Sequence, residues 1–128
     1  IIPEPGNYRL NDSLRYSFRL TERTTDMQPS KNAYHATIDA EKARFPLTLR
    51  LTENGDRFTP YGMEGSKLVS DYLTDRKRTL FQKRDQLVLA DATGRILWLV
   101  GERIAQDCAI SDSTRQVLHV EKEERTSP

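Results

Sequence analysis

The sequence predicts an α+β domain, a layered β-sandwich of about six to seven strands with two short helices added on one side. Three observations predict it. Period-two alternation of apolar and polar residues recurs in short segments, the mark of strands with one buried and one wet face. A strongly apolar hairpin lies in the C-terminal half. Helical spacing of apolar residues is confined to two short segments near the middle. A chain of 128 residues is one domain, and folding at this size hides roughly two-thirds of the unfolded surface, so a core forms without disulfides or metal.

Leu14, Tyr16, Phe18 and Leu20 alternate with Arg15, Ser17, Arg19 and Thr21, giving the first clear strand. Thr24 to Asn32, with Pro29, reads as a long hairpin loop. Ala33 to Asp39 is a weaker strand, and Ala40 to Phe45 a turn or one helical turn stopped by Pro46. Leu47, Leu49 and Leu51 form a half-buried strand ending at Asn54-Gly55. Ser66 is placed to cap a helix whose stripe is Leu68, Val69, Tyr72 and Leu73, running to about Asp75. Thr79 to Lys83 forms a second short helix carrying Leu80 and Phe81. Gln86–Ala90, the Asp91–Gly94 turn and Ile96–Val100 make a hairpin whose continuous apolar arms call for cover on both faces. Asp112 or Ser113 is placed to cap a helical turn, and Val117–Val120 is the last strand before a charged tail, Glu121–Pro128, expected to fray.

Charge and composition exclude more than they propose. Lys plus Arg number 20 against 19 Asp plus Glu, so the net charge of +1 names no partner and any nucleic-acid contact must come from local clustering. No run of about eighteen apolar residues occurs, so no membrane-spanning helix is expected. The single cysteine, Cys108, excludes an internal disulfide framework and multi-cysteine zinc sites, and it suits a reducing compartment. The chain begins at Ile1 without a secretory pattern, so it reads as a piece of a longer cytoplasmic protein. Cys108 and His119 are a conceivable thiolate pair, but packing is the better reading of both, because no orienting third group is evident. No nucleophile elbow and no GxxxxGK[ST] loop is present.

The informative segment is Asn54 to Asp85. It gathers Arg57, Lys67, Arg76, Lys77, Arg78, Lys83 and Arg84, with Tyr61, Tyr72 and Phe81 among them. Arg76-Lys77-Arg78 falls where the first helix should end, where cations oppose the negative end of the helix dipole. One reading is a solvated face diluted by Asp71, Asp75 and Asp85; the other is a cationic stripe that holds a phosphate backbone. Spacing alone does not choose between them. Asp56-Arg57 has a structural reading too, as an internal pair bracing the turn, and Trp98 and Met63 read as packing residues.

Five segments in order carry a resemblance. They are Asn54-Gly55-Asp56-Arg57-Phe58; Tyr61-Gly62-Met63 followed by Lys67-Leu68-Val69-Ser70-Asp71; Asp75-Arg76-Lys77; Leu89-Ala90-Asp91-Ala92-Thr93-Gly94; and Trp98-Leu99-Val100-Gly101-Glu102-Arg103-Ile104. Together they resemble the C-terminal domain of tRNA(Ile)-lysidine synthetases, from about Tyr34 to Val120. The resemblance implies a layered β-sandwich with helices, of the kind also found in phenylalanyl-tRNA synthetase. It implies an enzyme that ligates lysine to the wobble cytidine of AUA-reading tRNA(Ile), using ATP with Mg in an N-terminal catalytic domain that carries an SGGxDS loop. That loop is absent here, so this piece is expected to be non-catalytic and to hold no cofactor of its own.

The resemblance further implies that the domain binds the tRNA acceptor stem, with the remainder of the same enzyme as a second partner and a homodimer as a further option. Arg57, Lys67 and Lys77 fall on basic positions of the family pattern, and Lys83 where an arginine is usual. Two departures stand out: Lys77-Arg78-Thr79 where the family has Lys-Val/Ile-Pro, and Ala105-Gln106-Asp107 where an acidic residue usually follows Arg-Ile. The alternative from another class is a protein-interaction or scaffolding domain, for which an exposed apolar patch would speak. A free-standing hydrolase is the weakest reading, for want of a catalytic constellation.

Overall fold

In this computed structural model, which describes residues 1–9, 14–24 and 32–124, the chain forms ten strands and two helices among the described residues. In order they are β1 (Gly6–Arg9), β2 (Leu14–Glu22), β3 (His35–Asp39), β4 (Thr48–Leu51), β5 (Arg57–Phe58), β6 (Lys67–Leu68), α1 (Val69–Asp75), α2 (Leu80–Arg84), β7 (Leu87–Ala90), β8 (Ile96–Leu99), β9 (Arg103–Ile104) and β10 (Gln116–Glu124). Short 3-10 turns lie at Ala40–Lys42 and Gln106–Cys108.

Two antiparallel four-stranded sheets result, one ordered β1-β2-β10-β3 and the other β4-β7-β8-β9, with β5 and β6 as a separate ribbon. Single bridges join Ile2 to Leu47, just before β4, and Ile38 of β3 to Ala109. The α+β class is as expected. The strand count is higher, because β5, β6 and β9 have two residues each and β1 has four, too few to show a period.

One core joins the layers. Tyr16 and Phe18 of β2, Ile38 of β3 and Leu118 and Val120 of β10 meet Val88, Leu89, Leu97, Trp98 and Leu99 of the second sheet, and Phe58, Val69, Tyr72 and Leu73 of the ribbon and α1 complete it. All four residues of β8 are buried, so both of its faces are covered, as its continuous apolar run requires. Trp98 lies in this core, as its neighbours suggested.

Four local expectations need correcting or placing. The charged segment after Val120 does not fray at once: β10 continues to Glu124, with Glu121 opposite Ser17, Lys122 opposite Tyr16 and Glu124 opposite Leu14. Ladder hydrogen bonds to a long neighbour outweigh the polar composition, and Lys122 lies 4.5 Å over the Tyr34 ring. The turn at Asp112 is not helical; Thr114 Oγ1 accepts from the Ser111 N–H at 2.8 Å and donates to Asp39 at 3.1 Å. Most of the Thr24–Asn32 loop and the final Arg125–Pro128 lie outside the described residues.

The first sheet carries a polar line across three strands. His35 Nε2 of β3 stands 3.0 Å from His119 Nδ1 of β10, and His119 Nε2 is 2.9 Å from Thr21 Oγ1 of β2. Glu121 Oε1 lies 3.5 Å from His35 Nε2 and equally far from Arg19 Nη2. Burial lowers the pKa of His119, the Arg19 and His35 charges lower it further, and Glu121 opposes them. A histidine that stays neutral on folding stabilises the fold above its unfolded value of 6.5, and that contribution is lost as pH falls through the lower folded value. The urea midpoint of the chain should therefore decline as pH drops below 6.5, and His119→Gln should flatten that part of the curve. A wild-type midpoint unchanged down to the carboxylate range would contradict this assignment.

Candidate nucleic-acid interface

The segment singled out in the sequence becomes the layer formed by the β5–β6 ribbon, α1, α2 and their connections. It starts from Asp56. Arg50 grips this carboxylate with two hydrogen bonds of 2.9 and 3.0 Å, the Glu53 N–H adds one of 2.8 Å, and the Asp56 carbonyl accepts from the Val69 N–H at 2.9 Å. Burial alone would raise the pKa of Asp56, but these donors outweigh it and hold the carboxyl below its ordinary range. The Asn54-Gly55 turn, β4 and the first residue of α1 are thereby fastened together. Asp56 does this with Arg50, not with its neighbour Arg57, so the expected Asp56-Arg57 pair is replaced.

Arg57 instead closes the loop to β6, donating to Ser66 Oγ at 3.0 Å and to the Ser66 carbonyl at 3.2 Å. Ser66 is consequently not the helix cap; Leu68 holds that position without a side-chain cap. Lys67 is ion-paired with Asp75 at the far end of α1. The buried face of α1 is Val69, Tyr72 and Leu73, with the Tyr72 ring edge-on to Phe58 at 5.5 Å.

The end of α1 decides how the cations point. The Lys77 N–H donates to the Thr74 carbonyl and the Arg78 N–H to that of Leu73, the paired bonds of a Schellman turn. The residue in the left-handed position of such a turn is usually glycine; here it is Lys77, at φ 58°. On either side of it, Arg76 Nε lies 3.4 Å from Glu102, while Arg78 holds both Glu102 oxygens at 2.8 and 3.1 Å. Glu102 is nearly buried, with 7% of its side chain exposed. The hydrogen bond to this carboxylate raises the Arg78 pKa still further, so the guanidinium stays charged. Glu102 therefore clamps the α1–α2 connection onto the turn between β8 and β9.

Thr79 opens α2 with a capping box: its Oγ1 accepts from the Gln82 N–H at 3.1 Å, and its own N–H donates to Gln82 Oε1 at 2.8 Å. Lys83 reaches back to α1, 2.6 Å from Thr74 Oγ1. Arg84 and Lys77 have no side-chain partner among the described residues.

The seven basic residues thus divide. Lys67, Arg76 and Arg78 are committed to carboxylates and Arg57 makes two bonds to Ser66; Lys77 and Arg84 are available to a polyanion, and Lys83, bonded to the Thr74 hydroxyl alone, keeps further N–H donors for one. Sequence reasoning missed Glu102, whose only signal was a lone carboxylate just past an apolar hairpin arm, and Thr74, a plain helix residue. Leu80 and Phe81 are 72% and 76% exposed on α2. Met63, expected to pack, is also exposed.

Cys108 and His119 do not form a nucleophilic pair. The thiol is buried, directed at the Leu97 and Ala105 carbonyls, and its pKa is pushed up to about 12, first by burial and then by the Asp107 charge. His119 is engaged with His35 and Thr21.

Fold and cationic layer together define a class, a small α+β domain built of two antiparallel sheets with cations on its helical layer. A crystal structure of a TilS C-terminal domain superposes with a TM-score of 0.80 at 20% identity, covering 98% of this chain and 95% of that one. An N-terminal fragment of the phenylalanyl-tRNA synthetase β-subunit from Pyrococcus horikoshii gives a TM-score of 0.62 at 16% identity, over 71% of this chain and 28% of that one. At these identities the likeness is one of fold.

Sequence relatives are closer. The tRNA(Ile)-lysidine synthase of Parabacteroides distasonis is 38% identical over 110 residues, 86% of this chain and 25% of that protein. Those of Bacteroides thetaiotaomicron and Bacillus subtilis are 40% and 39% identical, over 76% and 73% of this chain and 22% and 20% of their own length. No family model matches the chain. The chain belongs to the tRNA(Ile)-lysidine synthase family, as its C-terminal domain. It spans about a quarter of the length of the relatives it matches.

Lys77 supplies a direct check of the turn. A side chain in the left-handed region costs about 1–2 kcal/mol, and glycine gives back about 0.5–1 kcal/mol in chain entropy. Lys77→Gly is therefore expected to raise unfolding stability by about 0.5–1 kcal/mol in a urea titration. A loss of stability would mean that the lysine side chain holds the turn.

Proposed function

We propose that this domain holds the acceptor stem of tRNA(Ile) for a ligase that attaches lysine to the wobble cytidine. The observation that carries the reading is the set Lys77, Lys83 and Arg84, available on the α1–α2 layer while the neighbouring arginines are fixed by Glu102. Family membership supplies the kind of RNA.

A-form RNA hides its major-groove edges from side chains, so a stem is held through its backbone and shape. Three cations on a rigid two-helix layer suit that task, because phosphate contacts fix position and register without reading bases. Activation of lysine with ATP and Mg is assigned to a catalytic domain bearing an SGGxDS loop, which this chain lacks. The remainder of the same enzyme is accordingly the second partner, and the domain acts far from the reacting cytidine, by fixing the tRNA body relative to the catalytic site.

Binding of a blunt RNA stem by the 128-residue chain should be weak and salt-sensitive. For two to four neutralised phosphates, the slope of log affinity against log salt is about −2 to −4. Lys77→Glu with Arg84→Glu should weaken binding at least about tenfold and shrink that slope by about 2, because each is worth about one released counterion. Circular dichroism should stay unchanged. Binding that ignores salt, or survives this double reversal, would remove the layer from the RNA interface.

A further inference from the structure

We propose that the cleft between α2 and the first sheet receives one unpaired nucleobase of the bound RNA, stacked on Phe81. This rests on the RNA-binding reading and extends it from backbone to base.

The Phe81 ring is 76% exposed, an unfavourable place for an apolar side chain, on a helix whose backbone is fastened at several points. The Thr79–Gln82 capping box fixes the start of α2, and Lys83 ties the helix to α1. Just after the helix, the Gln86 side-chain amide donates to the Leu87 and Val100 carbonyls at 2.8 and 2.7 Å, pinning the chain to the β7–β8 hairpin. An aromatic face open to water on an anchored helix suits sequence-tolerant stacking of a base.

The cleft beside it has a volume of about 460 Å³, within the ~300–1,000 Å³ usual for small-ligand sites. Its walls include Tyr34, Arg78, Asp85, Glu102 and Lys122. Arg78 is neutralised by Glu102, and Lys122 lies over the Tyr34 ring, so among the described residues the inner surface offers no free cation cluster for a phosphate. The Asp85 carboxylate, without a side-chain partner among the described residues, repels phosphate and suits an exocyclic amine, such as those of adenine, cytosine or guanine.

The phosphates belong outside the cleft, toward Arg84, which stands three residues from Phe81 on the same helix and lines the neighbouring groove with Lys83. One helix thus presents a ring for the base and cations for its backbone.

The test compares three RNAs on the 128-residue chain: a blunt stem, the same stem with a four-nucleotide single-stranded 3′ extension, and the extended stem carrying 2-aminopurine in the extension. The extended stem should bind about 5- to 100-fold tighter than the blunt one, and 2-aminopurine fluorescence should be quenched on binding. Phe81→Ala and Phe81→Leu should both erase the difference while leaving blunt-stem affinity unchanged, and Phe81→Trp should keep it. Asp85→Asn should weaken only extended stems.

Equal affinity for blunt and extended stems would overturn the inference and leave the stem-binding reading intact. Failure to bind either stem would sink that reading itself. Retention of the difference in Phe81→Leu would assign Phe81 to apolar packing, as in docking onto protein, and would equally overturn base stacking.

Discussion

The arrangement depends on one carboxylate. Glu102, nearly buried at the turn between β8 and β9, takes both arms of Arg78 and a longer contact from Arg76. A charge in that position is tolerated only because it is paired and hydrogen-bonded, and breaking the pair would leave it uncompensated. With the flanking arginines drawn inward, the chain reverses at Lys77, whose left-handed backbone is what the Schellman turn requires. Everything beyond that reversal, α2 with its capping box, Lys83, Arg84 and Phe81, takes its place from the same clamp. Cations that look equivalent in the sequence thus have different jobs: some build the surface and others are left on it.

The parts of the fold that were legible beforehand are those with dense local signals. The β7–β8 hairpin announces itself by two apolar arms around a turn, and Asp91 fastens that turn by accepting from the N–H groups of Thr93 and Arg95. The stripe Val69, Tyr72, Leu73 likewise marks α1. The ribbon strands β5 and β6, and β9, were not legible, since two residues carry no period; β5 and β6 pair with each other, and β9 pairs with β8. The length of β10 was hidden for the opposite reason: its last residues look like a solvated tail, and only the presence of β2 alongside makes them a strand.

The candidate surface divides the same way. A basic, aromatic-containing segment was readable as a candidate polyanion site, and the family resemblance gave it an RNA partner. Which cations are available was not readable, because Arg78 and Arg76 find Glu102 at separations of 24 and 26 residues. Asp75 illustrates the same point: counted as mere dilution of the patch, it is the ion-pair partner of Lys67. Net charge was silent throughout, since twenty cations set against nineteen anions say nothing about where either sits.

The most direct measurement is amide chemical-shift mapping of the isotopically labelled chain titrated with an RNA stem. The account predicts that perturbations centre on Thr74 to Arg84 and the Glu102 turn, and that Glu102→Ala disperses them by releasing the arginines. Shifts centred on the outward residues of β2, such as Arg15 and Arg19, with Thr74 to Arg84 unmoved, would contradict it.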